Sequence, residues 1–275
     1  MTNSLANAFV LGIETGCIYA IIALGLSIIF GIIRVVNFAH GTILMLFLYL
    51  GYYLFQYLKI DPYLSALLCA AVAFCFGYAL QFTVVRPIFV REKAYVVEPL
   101  GVLMLMAGVD MILSALGIVV FTPYVKTVRS FISPMTIKAG FSTFNVSRMV
   151  PVPVVLVLVS VTNWLFSRTE MGNIIRAVGQ NREAAAACGV NVHRIYAIAF
   201  GIGCAVTALG GGFLLPFYPI TPTIGTGLTI KAFIVVVLGG MGSIWGMLFA
   251  GIIVGLIESV SSVFMPGGFA TLVAL

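Results

Sequence analysis

Residues 168–194 read RTEMGNIIRAVGQNREAAAACGVNVHR, and apolar runs long enough to cross a bilayer lie on both sides of this stretch. It carries four arginines and two glutamates, and charges of this kind are too costly to place in hydrocarbon. At its centre, Glu183-Ala184-Ala185 follows a run with helix propensity and precedes Gly189. A helical, Ala-rich segment of mixed charge between two spans predicts a docking surface for a soluble partner. We therefore expect the membrane subunit of a larger assembly.

The composition places most of the surface in lipid. Of the 275 residues, 62% are hydrophobic and 8% are charged, whereas a soluble domain has about 25% charged residues. The apolar runs are long and continuous, which favours helices over the alternating strands of a membrane β-barrel. The sequence therefore predicts an all-α fold: one polytopic transmembrane domain over residues 1–275, with about eight helices and some broken or re-entrant segments.

The apolar runs predict where the chain crosses the membrane. Six spans are expected at about 5–33, 42–58, 63–85, 96–121, 152–166 and 195–215. A seventh region, 228–263, is too long and too Gly-rich for one plain helix. Pro266 begins a last apolar run of about ten residues, which is too short to span. We expect that this last helix is incomplete or that the natural chain continues.

The basic residues predict the orientation. The side that holds residues 167–194 carries Arg34, Arg86, Arg91, Lys93, Arg168, Arg176, Arg182 and Arg194, and the other side carries Lys59, Lys126, Arg129, Lys138 and Arg148. Loops rich in Lys and Arg stay in the cytoplasm, so residues 167–194, which we call the polar segment, are predicted to be cytoplasmic. By the same alternation, the N-terminus and residues 122–149 face outward, where the latter could receive an extracellular partner or cap the pore.

A second unusual stretch follows the first span. The run GLSIIFGIIRVVNFAHG, residues 25–41, ends a span and continues at once with Asn37, Phe38, His40 and Gly41. An unwound backbone at Gly41, beside an amide and an imidazole, offers hydrogen-bond donors and acceptors to a polar solute. This interpretation predicts a translocation or gating role. The alternative is an ordinary loop in which Asn and Gly form the turn.

The run LGGMGSIWG, residues 238–246, contains four glycines, each of which costs a helix about 1 kcal/mol relative to Ala. Two interpretations stay open. Gly242-xxx-Gly246 and the following Gly251-xxx-Gly255 suit close helix contacts in a membrane. Alternatively, the run is a re-entrant break that lines the solute path, through Gly239, Gly240, Gly242 and Ser243.

Residues 38–51 and 242–251 also form a faint internal repeat, since each begins with a small or polar Gly-containing break and continues as an apolar helix. Gly-interrupted segments at corresponding places in two halves indicate the central path of a transporter. Chance similarity between two apolar helices is the alternative.

Four charged residues fall within spans: Glu14, Asp110, Lys231 and Glu258. Each is expected to face the protein interior or to lie near a helix end, and Glu258 is expected near an end, with its carboxylate extended toward the interface. Nothing in the sequence pairs the four, so no proton relay is predicted.

The chain lacks the motifs of a nucleotide site or a catalytic centre. There is no GxxxxGK[ST], HExxH or GxSxG, the five cysteines have no metal-ligand spacing, and the two histidines are His40 and His193. We expect no catalytic residue, no metal and no cofactor bound by this chain. The energy for transport against a gradient must then come from another subunit or from ions.

Three stretches carry a family resemblance: residues 25–41, GNIIRAVGQNREAAAACGVNVHR (172–194) and KAFIVVVLGGMGSIWGMLFAGIIVGLIES (231–259). Together they resemble the inner-membrane permeases of branched-chain amino acid ABC importers, and most closely the shorter of the two permease types. The polar segment resembles the EAA coupling loop of such importers, although the usual Ile-x-Leu-Pro continuation is absent. The resemblance assigns ATPase coupling to Arg176, Glu183, Ala184, Ala185 and Gly189.

The resemblance also implies partners and a mechanism. It implies a second, homologous permease, two cytoplasmic P-loop ATPase subunits that hydrolyse ATP, an extracytoplasmic substrate-binding protein, and a place in the bacterial inner membrane. Movement of the coupling segment would then rock the two permeases around a central cavity. The default solutes are leucine, isoleucine and valine, with other amino acids, amides, urea and aromatic acids left open.

Two other classes of function are weighed against this interpretation. An ion-coupled secondary transporter of small polar solutes would work alone and would use Glu14 or Asp110 as its ion site. A membrane enzyme or a passive channel would need catalytic groups or a repeated filter motif, and the sequence has neither.

Overall fold

Residues 2–91, 98–131, 136–139 and 142–264, which the computed structural model describes, form mainly long helices joined by short connections. The helices are α1 (Thr2–Ile33), α2 (His40–Leu58), α3 (Pro62–Leu80), α4 (Arg86–Arg91), α5 (Glu98–Phe121), α6 (Val146–Met149), α7 (Pro151–Arg168), α8 (Glu170–Gln180), α9 (Arg182–Ala187), α10 (Val192–Leu214), α11 (Ile224–Gly239) and α12 (Ile244–Phe264). A π-helical turn, Gln81–Val85, joins α3 to α4. Strands β1 (Thr136–Ala139) and β2 (Ser142–Asn145) form a short antiparallel hairpin.

The predicted polytopic helical bundle is confirmed. Within the described residues, seven helical stretches are long and apolar enough to cross a membrane, and α11 is a shorter apolar helix. The region 228–263 is divided, as its length and glycines predicted, although its first helix begins at Ile224 and the predicted start at 228 is wrong. The polar segment is helical, but as two short helices, α8 and α9, with a turn between them. The run 266–275 lies outside the described residues.

Helix α1 is the centre of the bundle, and glycine decides how closely its neighbours approach. It packs antiparallel to α12, where a Cβ added to Gly16 would lie 2.6 Å from the Gly251 carbonyl oxygen. It also packs antiparallel to α10, where a Cβ added to Gly25 would lie 2.6 Å from the Gly203 carbonyl oxygen. Such backbone-to-backbone contacts are how membrane helices associate, because lipid and Leu side chains are equally apolar.

The opposite face of α10 packs on α3 in the same way. A Cβ added to Gly201 would lie 2.9 Å from the Phe74 carbonyl oxygen, and one added to Gly77 would lie 2.7 Å from the Cys204 sulfur. Helices α12, α1, α10 and α3 therefore form a row of close contacts. Helices α5 and α7 lie outside this row, and like α3 they expose most of their surface.

The predicted outer end of the bundle is tied together by hydrogen bonds. Asp61, the residue before α3, accepts hydrogen bonds from the Ser130 hydroxyl (2.7 Å) and the Phe131 amide (3.0 Å). Lys126 and Ile220 exchange two backbone hydrogen bonds of 3.0 and 2.8 Å. Residues 122–131 are therefore joined to the loop before α11. The opposite end brings Arg34 together with residues of α4 and of the polar segment.

Candidate translocation path and coupling surface

Helix α2 begins deep inside the bundle. After α1 ends at Ile33, residues 34–39 are not helical, and α2 starts at His40. The Nε2 atom of His40 donates a hydrogen bond of 3.0 Å to the Ile22 carbonyl oxygen and lies 3.4 Å from the Thr207 hydroxyl. Because Ile22 lies near the middle of α1, the chain re-enters the bundle before α2 begins.

Helix α11 begins at the same level. The Gly41 amide donates to the Thr229 hydroxyl (2.9 Å), and a Cβ added to Gly225 would lie 2.7 Å from the Gly41 carbonyl oxygen. The rings of Phe38 and Phe233 are 5.7 Å apart, so α11 leads away from this point in the direction opposite to α2. Two helix N-termini thus meet near mid-depth, where their aligned peptide dipoles give a positive potential.

Asn37 is the least satisfied polar residue at this point. Its side chain is 1% exposed, and neither its Oδ1 nor its Nδ2 atom has a hydrogen-bond partner in the described chain. A buried amide without partners is destabilising and is uncommon in folded proteins. Phe38, the next residue, is 40% exposed. The path role of Asn37, Phe38, His40 and Gly41 stays a prediction, to which the structure adds the contacts of His40 and Gly41.

Asp110 lies beside the same helix starts, and Glu14 does not. Asp110 is at the middle of α5 and accepts a hydrogen bond from the hydroxyl of Thr42, the residue after Gly41. Glu14 is 5% exposed, its Oε2 atom has no partner in the described chain, and it lies eight residues before Ile22. Eight residues are about 12 Å along a helix. The structure therefore joins one of the two predicted carboxylates to the start of α2.

Lys231 and Glu258 form an ion pair inside the bundle. Lys231 Nζ donates to Glu258 Oε1 (2.6 Å) and to the Tyr19 hydroxyl (2.7 Å), and Tyr19 donates to Glu258 Oε2 (2.9 Å). The expectation that Glu258 extends toward the membrane interface is therefore wrong. The pairing was not predicted, because the sequence does not show which faces of α1, α11 and α12 pack together.

The Gly-rich break between α11 and α12 lies at the other end of α1. Gly240 and Gly242 have φ of +84° and +86°, a conformation that favours glycine. The Gly242 amide donates to the Ser27 hydroxyl (3.1 Å), and the Ser243 hydroxyl accepts from the Gly246 amide (3.1 Å) at the start of α12. Gly239 packs against the Gly246 carbonyl oxygen. The break thus lies away from the Gly41 region, so the structure does not bring the two parts of the faint repeat together.

The break also borders a cavity of about 460 Å³ at the end of the bundle that we assign to the cytoplasm. Its polar lining comes from α1, α7, α8 and the break, with Ser27, Arg34, Asn163, Arg176, Gln180 and Ser243 among its residues. Gly239 packs against Gly246, while Gly242 and Ser243 border the cavity, and the role of the break in the solute path stays a prediction.

The sequence around Glu183 builds a short, sharply bounded helix. The Asn181 side chain accepts hydrogen bonds from the amides of Glu183 (3.1 Å) and Ala184 (3.0 Å) and caps the start of α9. At the other end, Gly189 has φ of +85°, its amide donates to Ala186, and the Val190 amide donates to Ala185, which is a Schellman motif. Ala185 is buried, while Glu183, Ala184 and Gly189 are exposed. The result is a rigid, exposed helical knob.

Helix α8 joins this knob to α1. Arg176 is exposed and donates to the Asn173 side chain (2.6 Å). A Cβ added to Gly179 would lie 3.0 Å from the Gly31 carbonyl oxygen, and one added to Gly31 would lie 3.1 Å from Gly242 Cα. The polar segment, the end of α1 and the Gly-rich break are therefore in direct contact.

Sequence reasoning missed several residues that complete these sites, namely Ser27, Gly31, Thr42, Gly179, Gly225 and Thr229. Their only sequence signal was that small or hydroxyl-bearing residues occur in apolar runs, which is common in membrane helices.

Comparison with known proteins agrees with this architecture. The family model described as "Branched-chain amino acid transport system / permease component" matches residues 9–274. The chain belongs to this permease family. It is 30% identical to the high-affinity branched-chain amino acid transport system permease protein LivH of Salmonella typhimurium, over 96% of this chain and 88% of the relative. It is 28% identical to the permease protein BraD of Pseudomonas aeruginosa, over 90% of this chain and 83% of that protein. No solved structure matches the chain.

Membership of the permease family confirms the resemblance carried by residues 25–41, 172–194 and 231–259. The protein is a multi-pass membrane permease of an ABC-type amino acid transport system.

Proposed function

We propose that this chain is the permease subunit of an ATP-driven importer of branched-chain amino acids in the bacterial inner membrane. It works with a second permease, two cytoplasmic P-loop ATPases and an extracytoplasmic binding protein. Solute passes the meeting point of α2 and α11, and ATP binding drives the movement through α9. The solute class is supported by the relatives, whose names specify branched-chain amino acid transport.

The observation that carries the coupling proposal is the contact between the polar segment and α1. Helix α9 is exposed, short and rigid, and α8 packs through Gly179 against the carbonyl of Gly31. A movement of α9 is transmitted through α8 to the end of α1. The non-helical residues 34–39, which include Asn37, join that end to His40 at the start of α2.

The first experiment is purification of the chain from its own membrane in mild detergent, with identification of every protein that accompanies it. We expect a second permease and P-loop ATPases. A chain that purifies as a homo-oligomer and transports without them contradicts the proposal and supports an ion-coupled transporter.

The second experiment reverses one charge on α9. Glu183→Arg should abolish amino acid uptake while the protein still reaches the membrane, because the exposed first turn of α9 would no longer fit the ATPase. The matched control is Glu170→Arg, which makes the same change in the exposed first turn of α8, outside the knob. Normal uptake by Glu183→Arg, or equal loss in both variants, would remove α9 as the docking element.

A further inference from the structure

Asp110 is a charge in an unusual place. It is the one charged residue of the span Leu100–Phe121, and it lies near the middle of that span. A carboxylate at the centre of a membrane helix is costly and marks a functional position by default. Its role is not explained by the coupling of α9 or by the packing of α1.

The side of α5 that carries Asp110 faces α2. Met106, one turn before Asp110, is 1% exposed, and a Cβ added to Gly117, two turns after it, would lie 2.8 Å from the Met45 side chain of α2. Asp110 is itself half-buried, and it contacts Thr42 in the first turn of α2. The carboxylate therefore lies at the predicted path, and its partial exposure leaves room for a further partner.

The partners of Asp110 are too few for a carboxylate at this depth. Within the described chain it accepts one hydrogen bond, from Thr42, and it has no Lys, Arg or His within ion-pair distance. Two carboxylate oxygens can accept about four hydrogen bonds. Glu258, by contrast, has both a lysine and a tyrosine as partners. The positive N-terminus of α2 compensates part of the charge of Asp110, and a cationic group is the partner that would compensate the rest.

We propose that Asp110 binds the ammonium group of the amino acid as it passes the starts of α2 and α11. This assignment rests on the proposed function and adds the residue that recognises the ammonium group of the solute. Thr42 holds the carboxylate in place, and repulsion from Asp110 turns the carboxylate of a zwitterionic solute away from it, toward the positive starts of α2 and α11. A solute without an ammonium group gains nothing from Asp110.

The test uses the assembled, detergent-solubilised transporter without its binding protein, and three probes that share a branched alkyl chain. Leucine carries both charges, 3-methylbutylamine carries only the ammonium, and 4-methylpentanoate carries only the carboxylate. We expect leucine and the amine to bind and the carboxylate to bind poorly. In Asp110→Asn, which keeps an acceptor for Thr42, the Kd for leucine and the amine should rise roughly 30-fold, as for removal of one partner of a desolvated charge pair.

Two further variants keep the test decisive if Asp110→Asn does not assemble. Asp110→Glu keeps the charge and should recover part of the affinity for the amine. Thr42→Val keeps the Asp110 carboxylate but removes the hydroxyl that holds it in place. It should weaken amine binding by a smaller factor than Asp110→Asn. Unchanged amine affinity in both Thr42→Val and Asp110→Asn, or equal binding of all three probes by the wild type, overturns the proposal.

Uptake measured in proteoliposomes separates the remaining explanations. If leucine import needs ATP, and Asp110→Asn reduces it without any dependence on Na⁺ or a proton gradient, the ammonium assignment holds. If wild-type uptake instead follows a Na⁺ or proton gradient that Asp110→Asn abolishes, Asp110 is an ion site and the assignment is wrong. If the wild-type system does not import leucine with ATP, it is the proposed function that fails.

Discussion

Helices α1 and α5 are both strongly apolar spans, yet they occupy opposite positions in the molecule. In α1, 89% of the most apolar window is buried inside the protein, whereas in α5 the share is 17%. Both helices have one glycine in every eight residues, so the difference follows where the glycines lie and not how many there are. Gly12, Gly16 and Gly25 of α1 contact the backbones of neighbouring helices, while a Cβ added to Gly108 of α5 would meet nothing within 4 Å. In a membrane, apolarity places a helix in the bilayer, and small residues place it in the core.

The largest effect should come from substituting a glycine of the core. Gly25→Leu puts a side chain where even a Cβ meets the Gly203 carbonyl oxygen at 2.6 Å and the Thr207 hydroxyl still closer. Overpacking costs about 1–3 kcal/mol where neighbouring side chains can adjust, and here part of the obstacle is backbone. We expect almost no folded protein, measured as the monodisperse fraction after detergent extraction.

The matched control makes the same change in α5. Gly108→Leu adds its side chain to open surface, so its folded yield should equal that of the wild type. If Gly25→Leu and Gly108→Leu give similar yields, close glycine packing is not what makes α1 the core.

The contrast between α1 and α5 also shows which parts of the fold can be predicted from the sequence. Long apolar runs and basic residues were enough to predict the helical bundle, the polar segment and the division of region 228–263. The order of packing was not predictable, because hydropathy does not distinguish α1 from α5 and contacts such as Gly16 with Gly251 join residues more than 200 positions apart. The site shows the same limit. Asn37, His40 and Gly41 were visible as a break after a span, whereas Thr229, the hydrogen-bond partner of Gly41, was an ordinary threonine of another helix.

Buried polar groups of the described chain divide into paired ones, such as Lys231 and Glu258, and unpaired ones, such as Asn37, and this contrast gives the next predictions. Lys231, Glu258 and Tyr19 join α11, α12 and α1, with the lysine and glutamate side chains 12% and 19% exposed. Lys231→Met leaves Glu258 without its ion-pair partner and should destabilise the protein by about 3 kcal/mol. The measurement is the midpoint of thermal aggregation in detergent.

A double variant distinguishes a stabilising pair from a costly isolated charge. Lys231→Met combined with Glu258→Met removes both charges, and apolar replacements of buried pairs are often near neutral, within about 1 kcal/mol. We therefore expect the double variant to regain most of the stability lost by the single one. A double variant that is less stable than Lys231→Met would mean that each charge has a separate role.

The smallest effect on stability should come from Asn37, a buried residue whose amide atoms have no hydrogen-bond partner in the described chain. Asn37→Leu therefore removes no hydrogen bond seen there and should change stability by less than about 1 kcal/mol. Uptake should nevertheless slow, with assembly of the ATPases unchanged, because we expect the Asn37 amide to contact the solute or to take part in gating and not to stabilise packing. Gln81→Leu is the matched control, since Gln81 is also buried, and its amide oxygen has no partner in the part of the chain that the structure describes, but it lies in the π-helical turn after α3. Gln81→Leu should transport normally. If Asn37→Leu does so too, Asn37 is a turn residue, and the path must be sought along Asp110 and Thr229 instead.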